Sequence, residues 1–283
     1  MALYIVTDSA ADLPNDIIKE FNLDVLPLSV TINDEDYLDG VTIDNKELMD
    51  KMRAGATPKT SQVTYSSFTG LFEKYVKHGD SVIYLALAAN LSGTFNAANI
   101  AKEELLEEYP NLDITLIDTK CVSMGLGMVV YKALVMLRDN ATKEEIIRMA
   151  KLNSENMEHI FTVDDLEYLF RGGRISRAAA LVGGLLGIKP ILEVTNDGTL
   201  APIEKARGRK NSIKRIAEIV GERGKNLDGQ IIGISHGDDM EAVEFLIECL
   251  KDSYGCKEFI VNSIGSVVGA HAGPGTLAVF FSK

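Results

Sequence analysis

Short apolar runs at residues 4–7, 25–30, 81–87 and 114–117 alternate with stretches whose apolar positions recur every three to four residues, at 14–21, 46–52, 68–77, 96–108 and 125–137. A continuous apolar run of this length suits a strand buried on both faces, and the longer period marks an amphipathic helix. Pro14 fits the first turn of the first helix, and Gly55 with Pro58 breaks the second. Strand and helix in alternation predict an open parallel sheet over the first half of the chain, with ligand-binding loops at the carboxyl ends of its strands. Asp8, Thr60, Ser92 and Asp118 would then approach one edge of one sheet.

The pattern changes near residue 155. Residues 161–163 precede a helical pattern at 165–170, which Arg171-Gly172-Gly173-Arg174 breaks. Segments 188–194 and 199–206 flank Asn196-Asp197-Gly198, a hairpin signal because tight turns need residues that tolerate positive φ. Residues 231–235 return to strand, followed by His236-Gly237-Asp238-Asp239 and an acidic helix. The fold class expected is α/β with two domains: a parallel-sheet domain over 1–155 and a mixed-sheet α/β domain over 156–283, with the ligand at their interface. A length of 283 residues, near the limit for a single core, suits one large or two medium domains.

Composition narrows the function classes. Hydrophobic residues make up 46% and charged residues 25%, enough apolar side chain for a large core. The formal net charge of -12 argues against a nucleic-acid partner, since such affinity rests on Lys and Arg neutralising phosphates. The N-terminal apolar run is too short for a signal or a membrane-spanning helix, so a cytoplasmic location without stable membrane insertion is expected. Cys121, Cys249 and Cys256 have no close metal-ligand spacing and read as reduced packing residues. His236 beside Asp238 and Asp239 is weak evidence for a metal and reads better as the cap of the helix that follows; no metal and no cofactor are expected.

Three separated loops carry the candidate chemistry: Thr60-Ser61-Gln62, Ser92-Gly93-Thr94, and the glycine-framed His271 within residues 269–275. Hydroxyls, exposed backbone N–H groups and an imidazole can hold a small anionic head group without a metal. Taken alone, Ser92-Gly93-Thr94 is an ordinary helix cap and His271 an ordinary structural histidine; their company suggests a site. Arg171 and Arg174 read as a cationic turn open to an anion or a partner, and Arg207, Arg209 and Lys210 form a second basic cluster.

Residues 7–14, Lys59-Thr60-Ser61-Gln62, Leu91-Ser92-Gly93-Thr94-Phe95, residues 165–169 with Arg171-Gly172-Gly173-Arg174, and residues 269–276 together resemble the DegV family, in order and spacing nearly end to end. The resemblance implies a two-domain α/β protein that buries a long-chain fatty acid and presents its carboxylate to a dihydroxyacetone-kinase-like fatty-acid kinase, without catalysis of its own. It assigns the carboxylate to Thr60 or Ser61, Ser92, Thr94 and His271, where Gly93 lets a ligand approach the backbone closely, and places Arg171 and Arg174 at the entrance or the partner surface; Arg209, from the second basic cluster, is a further candidate contact for a partner. Val63 stands where the family commonly has proline, which leaves the choice between Thr60 and Ser61 open.

Burying an acyl chain contributes about 0.8 kcal/mol per methylene, so some fifteen methylenes give roughly 12 kcal/mol before entropy and desolvation are counted. Segments 125–136 and 179–188 are rich enough in Leu, Val, Met and Ala to line such a cavity, and equally suit plain core packing. Two other functions fit the loops. One is an enzyme using Asp8, Ser9, Asp118 and His271 on an acyl or phosphorylated substrate, although no Walker loop or nucleophile elbow is present. The other is a lipid-sensing scaffold.

Overall fold

The computed structural model describes residues 2–177 and 187–283. Its N-terminal part is built on a four-stranded parallel sheet in the order β2-β1-β6-β7, comprising β1 (Leu3–Asp8), β2 (Asp24–Leu26), β6 (Ser81–Ala86) and β7 (Asp113–Asp118). Strand β6 is buried at every position, as its unbroken apolar run requires. Its C-terminal part carries a mixed six-stranded sheet, β10-β9-β8-β13-β11-β12. These strands are β8 (Met157–Thr162), β9 (Ile188–Val194), β10 (Leu200–Arg207), β11 (Ile231–His236), β12 (Glu258–Ser263) and β13 (Leu277–Ser282).

One expectation needs correction. Thr60 does not stand at the edge of the parallel sheet; it lies in β5 (Lys59–Ser61), which pairs antiparallel with β3 (Ser29–Ile32) beside β4 (Glu35–Leu38). The apolar run at 25–30 is divided at Pro27, which has no N–H to give a ladder, so β2 ends before it and β3 joins a different, three-stranded sheet. Asp8 and Asp118 do end parallel strands, and the Ser92 loop follows β6.

The six-stranded sheet divides its side chains by strict alternation. Phe161, Leu192, Ala278 and Phe280 face the core shared with the N-terminal part, while their neighbours Ile160, Ile191, Leu277, Val279 and Phe281 join a second core. That second core is completed by helices Arg209–Arg223 and Met240–Tyr254, through Ile216, Val220, Leu246 and Leu250. The first face is thus left to meet the parallel-sheet side of the molecule. The hairpin closes where its sequence demands: Gly198 takes φ +76° and donates its N–H to Thr195 O at 2.8 Å.

The short helix Ser266–Ala272 is held to the N-terminal part at its first turn. Asp12 accepts the Gly265 N–H at 2.8 Å, Asp39 accepts the Ser266 N–H at 2.6 Å, and Asn45 donates to Ile264 O at 2.6 Å. Carboxylates at a helix start satisfy N–H groups that the helix itself leaves free. His271 stands near the other end of this helix, so its position is fixed from both parts of the chain.

Candidate functional site

Between the shared face of the six-stranded sheet and the loops of the N-terminal part lies a cavity of about 390 Å³. Its walls are mostly aliphatic or aromatic, among them Leu28, Leu87, Val122, Phe161, Val267 and Phe280. Thr60, Ser61, Gln62, Ser92, Gly93, Arg174 and His271 also line it, and several of these touch one another. Most small-molecule sites share this design, roughly 300–1,000 Å³ of apolar wall with a few convergent polar groups.

Thr60 Oγ1 lies 2.8 Å from His271 Nε2, while His271 Nδ1 is buried without a hydrogen-bond partner among the described residues. A buried N–H without an acceptor costs its full desolvation, whereas a lone acceptor is more easily tolerated, so this arrangement favours the proton on Nε2. His271 then donates to Thr60, and the Thr60 hydroxyl keeps its own proton for a ligand. Burial, together with the neighbouring Arg174 guanidinium, pushes the imidazole down to about 4, so it is neutral near pH 7.

Ser92 is prepared in the same way. The Val63 N–H reaches Thr94 Oγ1 at 3.4 Å, Thr94 Oγ1 lies 2.8 Å from Ser92 Oγ, and Ser92 Oγ accepts the Thr94 N–H at 3.2 Å. With Thr94 donating to Ser92, the Ser92 proton is free to point into the cavity. Thr94 is fully buried behind Ser92. Gly93 packs against Gln62: a Cβ at 93 would fall 2.1 Å from Gln62 Oε1.

Arg174 supplies the positive charge. Its Nε and Nη2 donate to Leu91 O at 3.2 and 2.8 Å and its Nη1 donates to Gly172 O, which pins the guanidinium beside the Ser92 loop. Gly172 lies against the histidine, since a Cβ there would fall 1.9 Å from His271 Nδ1. Outside this group is a second pocket of about 450 Å³ that shares Thr60, Arg174 and His271 and is bordered by Lys59, Tyr168 and Arg171. Arg171 is exposed and paired with Glu167 at 2.9 Å. Arg209 joins neither pocket; it pairs with Asp239 at 2.7 Å.

The residues of the enzyme reading are dispersed. Asp8 is buried and accepts from Tyr84 Oη at 2.7 Å, Leu87 N at 3.0 Å and Ala10 N at 3.2 Å. Ser9 donates to Asp39 at 2.8 Å, and Asp118 accepts the Ala89 N–H from the loop after β6 at 3.1 Å and the Lys120 N–H of its own turn at 3.0 Å. Asp8 and Ser9 border another pocket altogether, and among the described residues no carboxylate orients His271. Cys121 is buried and burial pushes its thiol up to about 12, far from a reactive thiolate. Asp239 caps helix Met240–Tyr254 by accepting the Ala242 N–H, as expected for the His236 loop, and no group of three or more His, Cys, Asp or Glu side chains fit for a metal occurs among the described residues.

Of the two candidate apolar linings, segment 125–136 does not reach the cavity; Leu126, Val129, Val130 and Leu134 are core. Most of the other, 179–186, lies outside the described residues. Sequence reasoning missed His159 as a lining residue. His159 had a signal available, its two-residue offset from Phe161 on one strand face.

No helix among the described residues is long and apolar enough to cross a membrane. The model of a family described as "Uncharacterised protein, DegV family" matches residues 2–283. A DegV domain-containing protein of Clostridium perfringens is 43% identical over 279 residues, covering 98% of this chain and 96% of the relative. Among solved structures, a DegV family protein from Thermus thermophilus, described by its fatty acid binding, superposes with a TM-score of 0.91 at 31% identity over 100% of both chains. A stearic acid-binding protein from Eubacterium ventriosum gives 0.88 at 28% identity, covering 99% of this chain and 98% of that one. Sequence match and shared architecture over the whole described length lead to one assignment: this chain belongs to the DegV family.

Proposed function

We propose that this protein carries a long-chain fatty acid, holding the acyl chain in the apolar cavity and the carboxylate at the Thr60–Ser92–His271 end. The observation that carries the reading is the pairing of a 390 Å³ apolar cavity with the Thr60 and Ser92 hydroxyls on its wall, each held 2.8 Å from a second side chain, His271 Nε2 or Thr94 Oγ1. A carboxylate removed from water must collect several hydrogen bonds. Thr60 and Ser92 donate them, Ser61 stands alongside, and Arg174 balances the charge. Relatives described as binding fatty acid or stearic acid share this fold throughout.

The finer reading follows the family resemblance. The bound acid is presented to a dihydroxyacetone-kinase-like fatty-acid kinase in the cytoplasm, and the kinase brings ATP and magnesium while this chain supplies sequestration and orientation. The outer pocket bordered by Lys59 and Arg171 gives a partner a cationic approach to the carboxylate. We keep the domain division between residues 155 and 156, so that the acid lies between the two parts. The test is to supply purified kinase, ATP and magnesium with the palmitate-loaded protein and measure acyl phosphate. Formation that depends on this chain supports presentation; equal formation from free palmitate contradicts it.

A further inference from the structure

The cavity has a second feature at the end away from Thr60, Ser92 and His271. Strands β8 and β13 run antiparallel along the cavity wall, with Thr162 opposite Leu277 and His159 opposite Phe280. Leu169 and Arg174 follow the end of β8, and His271 with Thr276 precedes the start of β13, so the head-group end lies there. His159 and Phe280 occupy the other ends of the same two strands. Three residues of extended chain separate His159 from Thr162, about 10 Å. The β8–β9 register, Phe161 opposite Leu192 and Ile160 opposite Glu193, continues to place Val194 beside His159.

His159 and Val194 line two spaces at once, the acyl cavity and a pocket of about 520 Å³ whose border includes Lys120, Lys151 and Glu155. The imidazole is held rigidly between them. Its Nδ1 lies 3.2 Å from Met157 O, its Nε2 accepts the Val122 N–H at 3.4 Å, and its ring meets Phe280 edge-on at 5.3 Å. Gly125 makes the room: a Cβ at that position would fall 2.1 Å from His159 Nε2. A fixed, uncharged ring with its hydrogen bonds turned to backbone can abut a methyl end without leaving a polar group unpaired.

We propose that His159 and Val194 form the wall that ends the acyl tunnel and sets the longest chain the protein accepts. This inference rests on the fatty-acid reading. Beyond the wall the border turns polar, so an overlong chain in the native protein must either buckle or push its methyl end among charged side chains. Removing the imidazole joins the two spaces and lets further methylenes be buried, each favouring the longer acid by up to about fourfold.

The experiment is a competition among palmitate, stearate, arachidate and behenate for the intact protein, read by native mass spectrometry, for the native chain and for His159→Ala, Val194→Ala and His159→Leu. The two alanine variants are expected to raise arachidate and behenate against palmitate by about tenfold or more, while His159→Leu, which keeps the bulk, holds the native ranking. Val194→Ala carries the test if His159→Ala does not fold. Stoichiometric fatty acid with an unchanged ranking in the alanine variants overturns the wall assignment and leaves the carrier reading intact. A native chain that takes up none of the four acids overturns both.

Discussion

Thr60 Oγ1 lies 2.8 Å from His271 Nε2, tying the short antiparallel sheet to the helix Ser266–Ala272 at the polar end of the cavity. The two residues are 211 positions apart in the chain, and the bond orients a hydroxyl that neither local structure would fix. Replacing Thr60 with Val keeps the shape and removes the donor. A hydrogen bond to a charged group contributes about 1.5–3 kcal/mol, so fatty-acid affinity should fall by roughly 10- to 100-fold. Displacement of a fluorescent fatty acid measures it, and affinity within twofold of the native chain would contradict the assignment.

Ser92→Ala should act in the same direction through the second hydroxyl, whereas Thr94→Val should act indirectly. Thr94 supports Ser92 from behind, so its loss leaves the Val63 N–H without an acceptor and Ser92 without its orienting donor. The expected outcome is a lower melting temperature for Thr94→Val together with weaker binding, against weaker binding with little change in melting temperature for Ser92→Ala. Calorimetry on both variants separates the two roles.

Gly172→Ala introduces a methyl where the imidazole already stands, 1.9 Å from His271 Nδ1. The backbone at 172 has φ −70°, so the cost is steric and not conformational. Overpacking of this kind costs about 1–3 kcal/mol, and here it also displaces His271 from Thr60. Lower stability together with weaker fatty-acid retention is expected in denaturant titration and displacement assays; native retention would show that the His271 bond is dispensable.

Protonation gives opposing pH slopes. Burial holds His159 and His271 at about 4, below the ordinary 6.5, so the unfolded chain binds more protons between those values. Their contribution to stability is present above pH 6.5 and is lost as pH falls towards 4. Asp8, which burial pushes up to about 6 from 3.8, has the reverse sign: its contribution is present below 3.8 and is lost as pH rises through 6. Asp8→Asn removes one opposing slope, so urea midpoints measured from pH 6.5 down to 4 should fall more steeply than in the native chain. A shallower fall would contradict this sign.

Much of the fold was legible because its signals are local. The unbroken apolar run of β6, the Asn196-Asp197-Gly198 turn and the helices with 3.6-residue periods each follow from neighbouring residues. The division of 25–30 into two strands of different sheets was not, although Pro27 marks the place. Nor was the central position of β13, the last strand of the chain, between β8 and β11: strand order is set by which faces pair across long separations. The candidate residues Thr60, Ser61, Ser92 and His271 line one cavity, Thr94 supports Ser92 from behind, and Arg209 lies elsewhere because Asp239 holds it. His159 was not singled out, although its two-residue offset from Phe161 puts both on one strand face.

The most direct test of the carrier reading is the mass of the protein purified without added lipid, in the native state and after extraction with organic solvent. One fatty acid per chain is expected in the native mass, and the same acid in the extract. A protein that is empty as purified, and still empty after incubation with palmitate and stearate, would contradict it.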